Sequence, residues 1–254
     1  MEAEEEHPPG LRPFHGRRAQ LRPRAPAREL ILRPGFSFNL PRLTSFGVSH
    51  NESYELYQGI GFRESSTHFS VSTAWYKWLQ LNANYSQGRQ PNYYPADGVL
   101  PFLGSSNNAS ATLTIRPDPH LRLDQIYYYT RLATLCDGTS EPSLPASDVF
   151  TNHLIRSKIN YQFNRDYSFR AIFDYNSLLP NASLVSSAYS KVADTTLLFT
   201  YMPHPGTALY VGYADNFENV EYDANASPAY RTTTLPGTST DRQVFMKFSY
   251  LLRF

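Results

Sequence analysis

Cysteine is almost missing from this chain. The one copy, Cys136, leaves no internal disulfide framework, and it sits in a Gly/Ser/Pro-rich stretch that reads as a loop. Net charge is nearly absent too, at +1, which gives no case for a nucleic-acid partner. No apolar run approaches the ~20 residues of a spanning helix, and the mean hydropathy is −0.45. A helical membrane protein is thereby excluded, but a barrel is not, because a spanning strand carries its apolar residues at alternate positions. Chemistry-bearing motifs are equally scarce. There is no Gly-rich phosphate loop, no paired Cys motif, no HExxH helix and no nucleophilic Ser in a recognisable setting. The seven histidines are scattered, with none within four residues of another, so no metal site, cofactor or enzymatic activity is expected.

What the chain does have is aromatics, with 19 Tyr and 16 Phe among 254 residues. From residue 35 onward they fall into period-two alternation, and helical spacing is almost absent. In "LQLNANYS", Leu79, Leu81, Ala83 and Tyr85 oppose Gln80, Asn82, Asn84 and Ser86. In "IRSKINYQF", Ile155, Ile159, Tyr161 and Phe163 oppose Arg156, Lys158, Asn160 and Gln162. Eleven strands are expected, near 35–49, 54–64, 67–76, 78–88, 107–116, 120–133, 149–163, 167–178, 191–202, 207–217 and 241–254. Residues 1–34 are acidic, then rich in Arg and Pro. They show neither periodicity nor the layout of a secretory signal, and read as a disordered or non-native segment.

Short turns (117–119, 164–166, 203–206) alternate with long polar segments (89–106, 134–148, 179–190, 218–240). In an up-and-down meander this puts short turns on one rim and long loops on the other, the layout of an outer-membrane barrel. An all-β, antiparallel up-and-down transmembrane β-barrel is therefore predicted over 35–254. A girdle at the short-turn rim is expected from Trp75, Tyr76, Trp78, Tyr161, Phe163, Tyr167, Phe169 and Tyr201, since Trp and Tyr favour the membrane interface. Arg122, Asp124, Arg156, Lys158, Arg170, Asp174 and Lys247 fall on the opposite parity and are expected to line the lumen. Their functional reading is a cation-lined passage for anionic or polyhydroxylated solutes. Across the turn at 164–166, shared parity makes paired residue numbers sum to 330, which sets Arg156 against Asp174. Eleven is odd, whereas single-chain bacterial barrels have even counts. A partial, amino-terminally truncated barrel is expected on that ground.

The chain closes on "QVFMKFSYLLRF", with Phe248, Tyr250, Leu252 and Phe254 on one parity. This resembles the carboxyl-terminal signal read by the outer-membrane barrel-assembly machinery. "LTIRPDPHLRLD", "HLIRSKINYQFNRDYSFRAIFDYN", "LLFTYMPHPGTALYVGYADNFEN" and the closing strand together resemble the carboxyl-terminal segment of the bacterial domain-of-unknown-function 5916 family. The likeness covers residues 110–254 and is strongest at "PGTALYVGY". It implies an outer-membrane barrel of a Gram-negative bacterium, usually preceded by a signal peptide and a family-9-type carbohydrate-binding module. Neither of those is recognisable here, so no sugar-binding residue carries over. The expected partners are outer-membrane lipid, the assembly machinery and extracellular glycans, with a role in carbohydrate binding or uptake. Two alternatives stay open: the carboxyl-terminal barrel of an energy-coupled, TonB-dependent-like receptor, and a soluble secreted β-rich module that accompanies carbohydrate binding or hydrolysis.

Overall fold

The computed structural model describes residues 28–32, 34–135, 146–225 and 229–251. Every regular element among them is a β-strand. The strands are β1 (Arg28–Leu32), β2 (Gly35–Leu40), β3 (Thr44–Tyr57), β4 (Ile60–Tyr76), β5 (Leu79–Pro91), β6 (Leu103–Ile115) and β7 (Leu121–Thr134). They continue as β8 (Asp148–Gln162), β9 (Tyr167–Pro180), β10 (Ser190–His204), β11 (Thr207–Glu218), β12 (Val220–Tyr222), β13 (Tyr230–Thr232) and β14 (Thr238–Tyr250). One sheet runs in the order β1-β3-β4-β5-β6-β7-β8-β9-β10-β11-β14, with β2 also on β3, while β12 and β13 form a separate hairpin. All pairings are antiparallel, and they join strands that follow one another along the chain except where β1 pairs β3 past β2 and β11 pairs β14 past the β12–β13 hairpin, so the fold is the up-and-down meander that the alternation predicts.

β1 and β2 pair with successive parts of β3, Leu30 opposite Ser53 and Phe38 opposite Phe46. They act as one edge strand broken at Pro34, which has no N–H to give a ladder. Its carbonyl is still used, accepting from His50 N at 2.9 Å. The sheet thus has eleven strand positions, the expected number, but its amino-terminal part is divided differently. The expected strands 35–49, 54–64 and 67–76 are replaced by β2, β3 and β4. The turns fall at residues 41–43, where Arg42 and Leu43 have φ of 61° and 52°, and at Gln58–Gly59, with φ of 50° and 81°. Two successive positive φ values match the right-handed twist of a two-residue hairpin. "HNES", residues 50–53, falls between the expected strands 35–49 and 54–64. It stays in the strand because its side chains pair across the sheet, His50 Nδ1 with Thr67 Oγ1 at 2.9 Å and Ser53 Oγ donating to Glu64 at 3.0 Å. Residues 28–32, assigned by composition to the unpatterned segment, pair as β1; residues 1–27 lie outside the described residues.

One rim carries the connections 41–43, 77–78, 116–120, 163–166 and 205–206. The other carries 92–102, 135–147, 181–189 and 219–237. Short turns and long loops therefore segregate, with the two-residue turn at 58–59 the exception on the long-loop rim. The β8–β9 register follows the sum of 330 throughout, from Phe150–Pro180 to Gln162–Ser168. Among the described residues no pairing joins β14 to β1 or β2, so this sheet is open.

Gly212 shows how the wall accommodates an aromatic. It stands opposite Phe245, and a Cβ at Gly212 would lie 2.1 Å from the Phe245 ring. The ring lies over the glycine, as aromatic rescue of a strand glycine requires. Gly212→Val is expected to cost about 1–3 kcal/mol by overpacking. In denaturant unfolding, Gly212→Val combined with Phe245→Ala should lose clearly less than the sum of the two single changes. Additive losses would show that the ring and the glycine are not coupled.

Candidate functional site

The register sorts every strand residue onto one of two faces. One face carries Leu79, Leu81, Ala83 and Tyr85 of β5; Leu121, Leu123 and Tyr127 of β7; Tyr161, Ile159 and Ile155 of β8; and Tyr167, Phe169, Ala171, Phe173 and Tyr175 of β9. β10 adds Tyr201, Phe199, Leu197 and Ala193, β11 adds Leu209, Val211 and Tyr213, and β14 adds Tyr250, Phe248, Met246 and Val244. No second layer packs on this face among the described residues. Phe69, Tyr85, Ile159, Phe173, Phe199, Val211, Val244, Met246 and Phe248 are all exposed, Met246 to 76%.

The eight aromatics expected as a girdle lie at the short-turn rim. Tyr167 and Tyr201 stack at 4.6 Å, Tyr161 meets Phe163 edge-on at 4.8 Å, and Tyr76 stacks with Trp78 at 5.6 Å. The Arg42 guanidinium lies 4.5 Å from the Trp75 ring. Cation–π contacts of this kind contribute about 0.5–1 kcal/mol at exposed sites.

A second aromatic row went unread in the sequence. Tyr85, Tyr127, Tyr129, Tyr175 and Tyr213 share the apolar face nearer the long-loop rim, and three of their phenols hydrogen-bond polar neighbours. Tyr85 donates to Asn107 Oδ1 at 3.0 Å, Tyr213 donates to Asp215 at 2.6 Å, and Tyr127 meets His153 Nδ1 at 2.9 Å. Beyond this row the same face turns polar, with Gln87, Arg89, Arg131, His153, Lys191, Asp215 and Arg242. The signal was available as a Tyr followed two positions later by an amide or charge: Tyr85 and Gln87, Tyr129 and Arg131, Tyr213 and Asp215. From Tyr167 to Tyr175 is eight residue steps, about 26 Å along the strand at ~3.3 Å per step. Allowing for strand tilt, that is close to the ~25 Å apolar band of an outer-membrane barrel.

The opposite face is polar over most of its height. On β4 to β6 it presents Ser66, His68, Ser70, Ser72, Gln80, Asn82, Asn84, Ser86, Asn108, Ser110 and Thr112. The expected lumen charges share this face on β7 to β9 and β14. The Arg156 guanidinium grips Asp174 with two bonds, 2.6 and 2.7 Å. Arg122 Nε donates to both Asp124 oxygens at 3.0 and 2.9 Å, and Thr114 Oγ1 donates to Asp124 at 2.8 Å. Arg170 donates to Asn160 at 3.0 Å, Lys158 stands opposite Asp124, and Lys247 stands opposite Tyr210. Asp194, directly across from Asp174, accepts from Asn216 Nδ2 at 2.5 Å, which answers part of the like-charge repulsion. The cation-lined reading does not describe this surface. Arg122, Arg156, Lys158, Arg170 and Lys247 share it with Glu55, Glu64, Asp124, Asp174, Asp194 and Asp241. Signs alternate and pair locally instead of forming a single-sign field.

At the long-loop rim this face turns apolar, and two loops fold onto it. Phe102, Leu132, Val149, Leu184 and Val185 form a buried cluster there, with Val99 and Phe150 packed against it. Asn92 Nδ2 donates to Leu184 O at 2.9 Å, Ser186 N donates to Tyr94 O at 3.0 Å, and Pro95 and Val185 form a β-bridge. These contacts tie the 92–102 loop to the 181–189 loop. The Tyr93 phenol reaches the wall, donating toward Glu55 at 2.7 Å and Glu64 at 3.2 Å, while Tyr57 O–H donates to Tyr93 O at 3.0 Å. Burial and then the Glu55 hydrogen bond push the Tyr93 phenol well above the usual tyrosine range, so it remains a neutral donor at any physiological pH.

Phe248 and Tyr250 of the expected assembly signal lie on the apolar face of β14; Leu252 and Phe254 fall outside the described residues. Cys136 does as well. Among the described residues no group of three or more metal-ligating side chains converges.

No family model matches the chain, and no curated protein matches it. Among solved structures, it is similar to one described as the NanC porin in a rhombohedral crystal form. Identity is 10% and the TM-score 0.34, over 88% of this chain and 100% of that one.

Proposed function

We propose that the chain forms wall of a bacterial outer-membrane β-barrel, a non-enzymatic protein whose polar face lines a hydrated interior. One observation carries this reading: an apolar face that no second layer covers among the described residues spans the sheet between two rows of aromatics, backed by a polar face. A soluble sandwich would bury that face against another sheet about 10 Å away. Lipid accepts it as it stands. Large side chains contribute about 1.5–3 kcal/mol each when fully removed from water.

Lipid also requires that every backbone group be bonded. β14 and the β1–β2 edge both run from the long-loop rim to the short-turn rim. One further strand running the opposite way would be antiparallel to both edges and would make the count even. The hydroxyl- and amide-rich polar face of β4 to β6 supports carbohydrate as the solute handled, in line with the family resemblance. The outward stripe of β14 supports delivery by the barrel-assembly machinery.

The full chain is expected to partition with membranes. It should refold to a heat-modifiable, β-rich species in detergent micelles or lipid vesicles and not in plain buffer. A monodisperse folded sample in detergent-free buffer would overturn the proposal.

A further inference from the structure

We infer that the pocket beneath the 92–102 and 181–189 loops is a binding subsite for an uncharged sugar ring, an inference that rests on the barrel reading above. The pocket measures about 190 Å³. That is smaller than the ~300–1,000 Å³ of sites for drug-sized ligands, so it holds one ring-sized group and leaves the rest of a glycan outside. Its position suits that role, because the long loops of an outer-membrane barrel face the exterior.

Its chemistry is that of a sugar site. The floor is apolar, from Leu132 and Leu178, and Tyr94 stands at the side, 70% exposed. A pyranose has an apolar C–H face and a rim of hydroxyls, so it needs an aromatic or aliphatic surface beside donors and acceptors. The polar groups are present. Gln90 uses its oxygen to accept from Ser106 at 2.8 Å, which leaves its amide donors directed elsewhere. The Thr130 and Ser187 hydroxyls also line the pocket.

Charge decides between neutral and anionic sugars. Among the described residues no charged side chain lines the pocket. The charges its loops bring are acids: Tyr93 holds the carboxylates of Glu55 and Glu64, and Asp97 belongs to the 92–102 loop itself. A uronate would meet repulsion and no cation, whereas a neutral ring meets neither.

The test uses the full chain refolded in detergent, with folding of each variant checked by heat-modifiable migration. Titration calorimetry with maltotriose should give saturable binding. Trigalacturonate should bind at least about tenfold more weakly, the factor that corresponds to one lost or opposed polar contact. Tyr94→Ala should weaken maltotriose binding about tenfold, whereas Tyr94→Phe, which keeps the ring, should stay within about twofold. Thr130→Val should weaken it about threefold or more, and Tyr230→Ala, on the neighbouring β13 hairpin, should leave it unchanged. The inference is overturned if folded protein shows no saturable binding of maltotriose. It is equally overturned if Tyr94→Ala has no effect, if the uronate binds as well, or if hexanol competes for the pocket while sugars do not. Failure of the wild-type chain to fold in detergent would instead sink the barrel reading, so the two failures are distinguishable.

Discussion

Leu197→Arg is expected to destabilise the folded protein in lipid or detergent by about 2–4 kcal/mol, the cost of an arginine at the midplane of a barrel's lipid face. The same change one residue earlier, Thr196→Arg, should stay within about 0.5 kcal/mol, as surface substitutions usually do. Leu197 lies between Ala171 and Tyr213 on the apolar face, four residues from Tyr201 at one boundary and four from Ala193 near the other. A guanidinium there enters an apolar surround, and the nearest acid on its face, Asp215, already accepts from Tyr213, Ser239 and Arg242. Thr196 lies between Ile172 and Ala214 on the polar face, within one pair of Asp174 and Asp194. An arginine there enters water and meets two carboxylates. Denaturant unfolding of the two variants, read by heat-modifiable migration, measures the difference. Equal losses would mean that the two faces see the same solvent, and the membrane assignment would fall with them.

The β8–β9 hairpin was the most legible part of the fold. Two strands of clean alternation, joined by a short turn of known length, admit one register, because a slip of β9 by one residue against Arg156 and its strand moves Arg170 and Asp174 to the lipid side. Their bidentate contact, Arg156 to Asp174, marks that register and adds only ~0.2–1 kcal/mol as a cross-strand pair. The amino-terminal strands were harder to read. Near the long-loop rim both faces are polar, so His50, Asn51, Glu52 and Ser53 carry no alternation to distinguish a strand from a turn. Only the positive φ at Gln58 and Gly59 decides where the chain reverses.

The same limit hid the loop cluster. Leu132, Phe150 and Leu178 break alternation by placing apolar side chains on the polar face, yet only at the loop end of their strands. In a wall with water on that side they would be misplaced, and the 92–102 and 181–189 loops cover them. Such breaks are the sequence signal for an inward-folded loop. Composition alone could not supply it, because the loops themselves read as ordinary Asn/Ser/Pro surface. The charge balance of the polar face was misread for a related reason. Its acids are dispersed over β3, β4, β7, β9, β10 and β14, and only the register collects them onto one surface.

Phe248→Ser combined with Tyr250→Ser is expected to abolish most assembly of the protein in a bacterial outer membrane, while Lys247→Ser with Ser249→Ala should leave it largely intact. The four positions are consecutive in one strand, so β-propensity and position are nearly matched, and only the face differs. Phe248 stands against Leu209, and Tyr250 against Thr207, on the apolar side; Lys247 faces Tyr210, and Ser249 faces Ala208. β14 is also an edge of the described sheet, with pairing to β11 alone. Its outward side chains are accordingly among the most exposed of the apolar face, Val244 at 73% and Phe248 at 66%. On an interior strand, neighbours on both sides shelter such residues, and losing one costs its own transfer term. At the edge the stripe is what a membrane, or whatever delivers the chain to it, meets first. Removing two aromatics forfeits about 3–6 kcal/mol of burial, a large share of a typical 5–15 kcal/mol stability. The unpaired backbone of β14 would then have no apolar stripe to hold it at the bilayer. The readout is the heat-modifiable fraction in isolated outer membranes, with total synthesis matched by immunoblot. If the inward pair impairs assembly as much as the outward pair, the strand contributes through its backbone alone, and its aromatic stripe is not a signal.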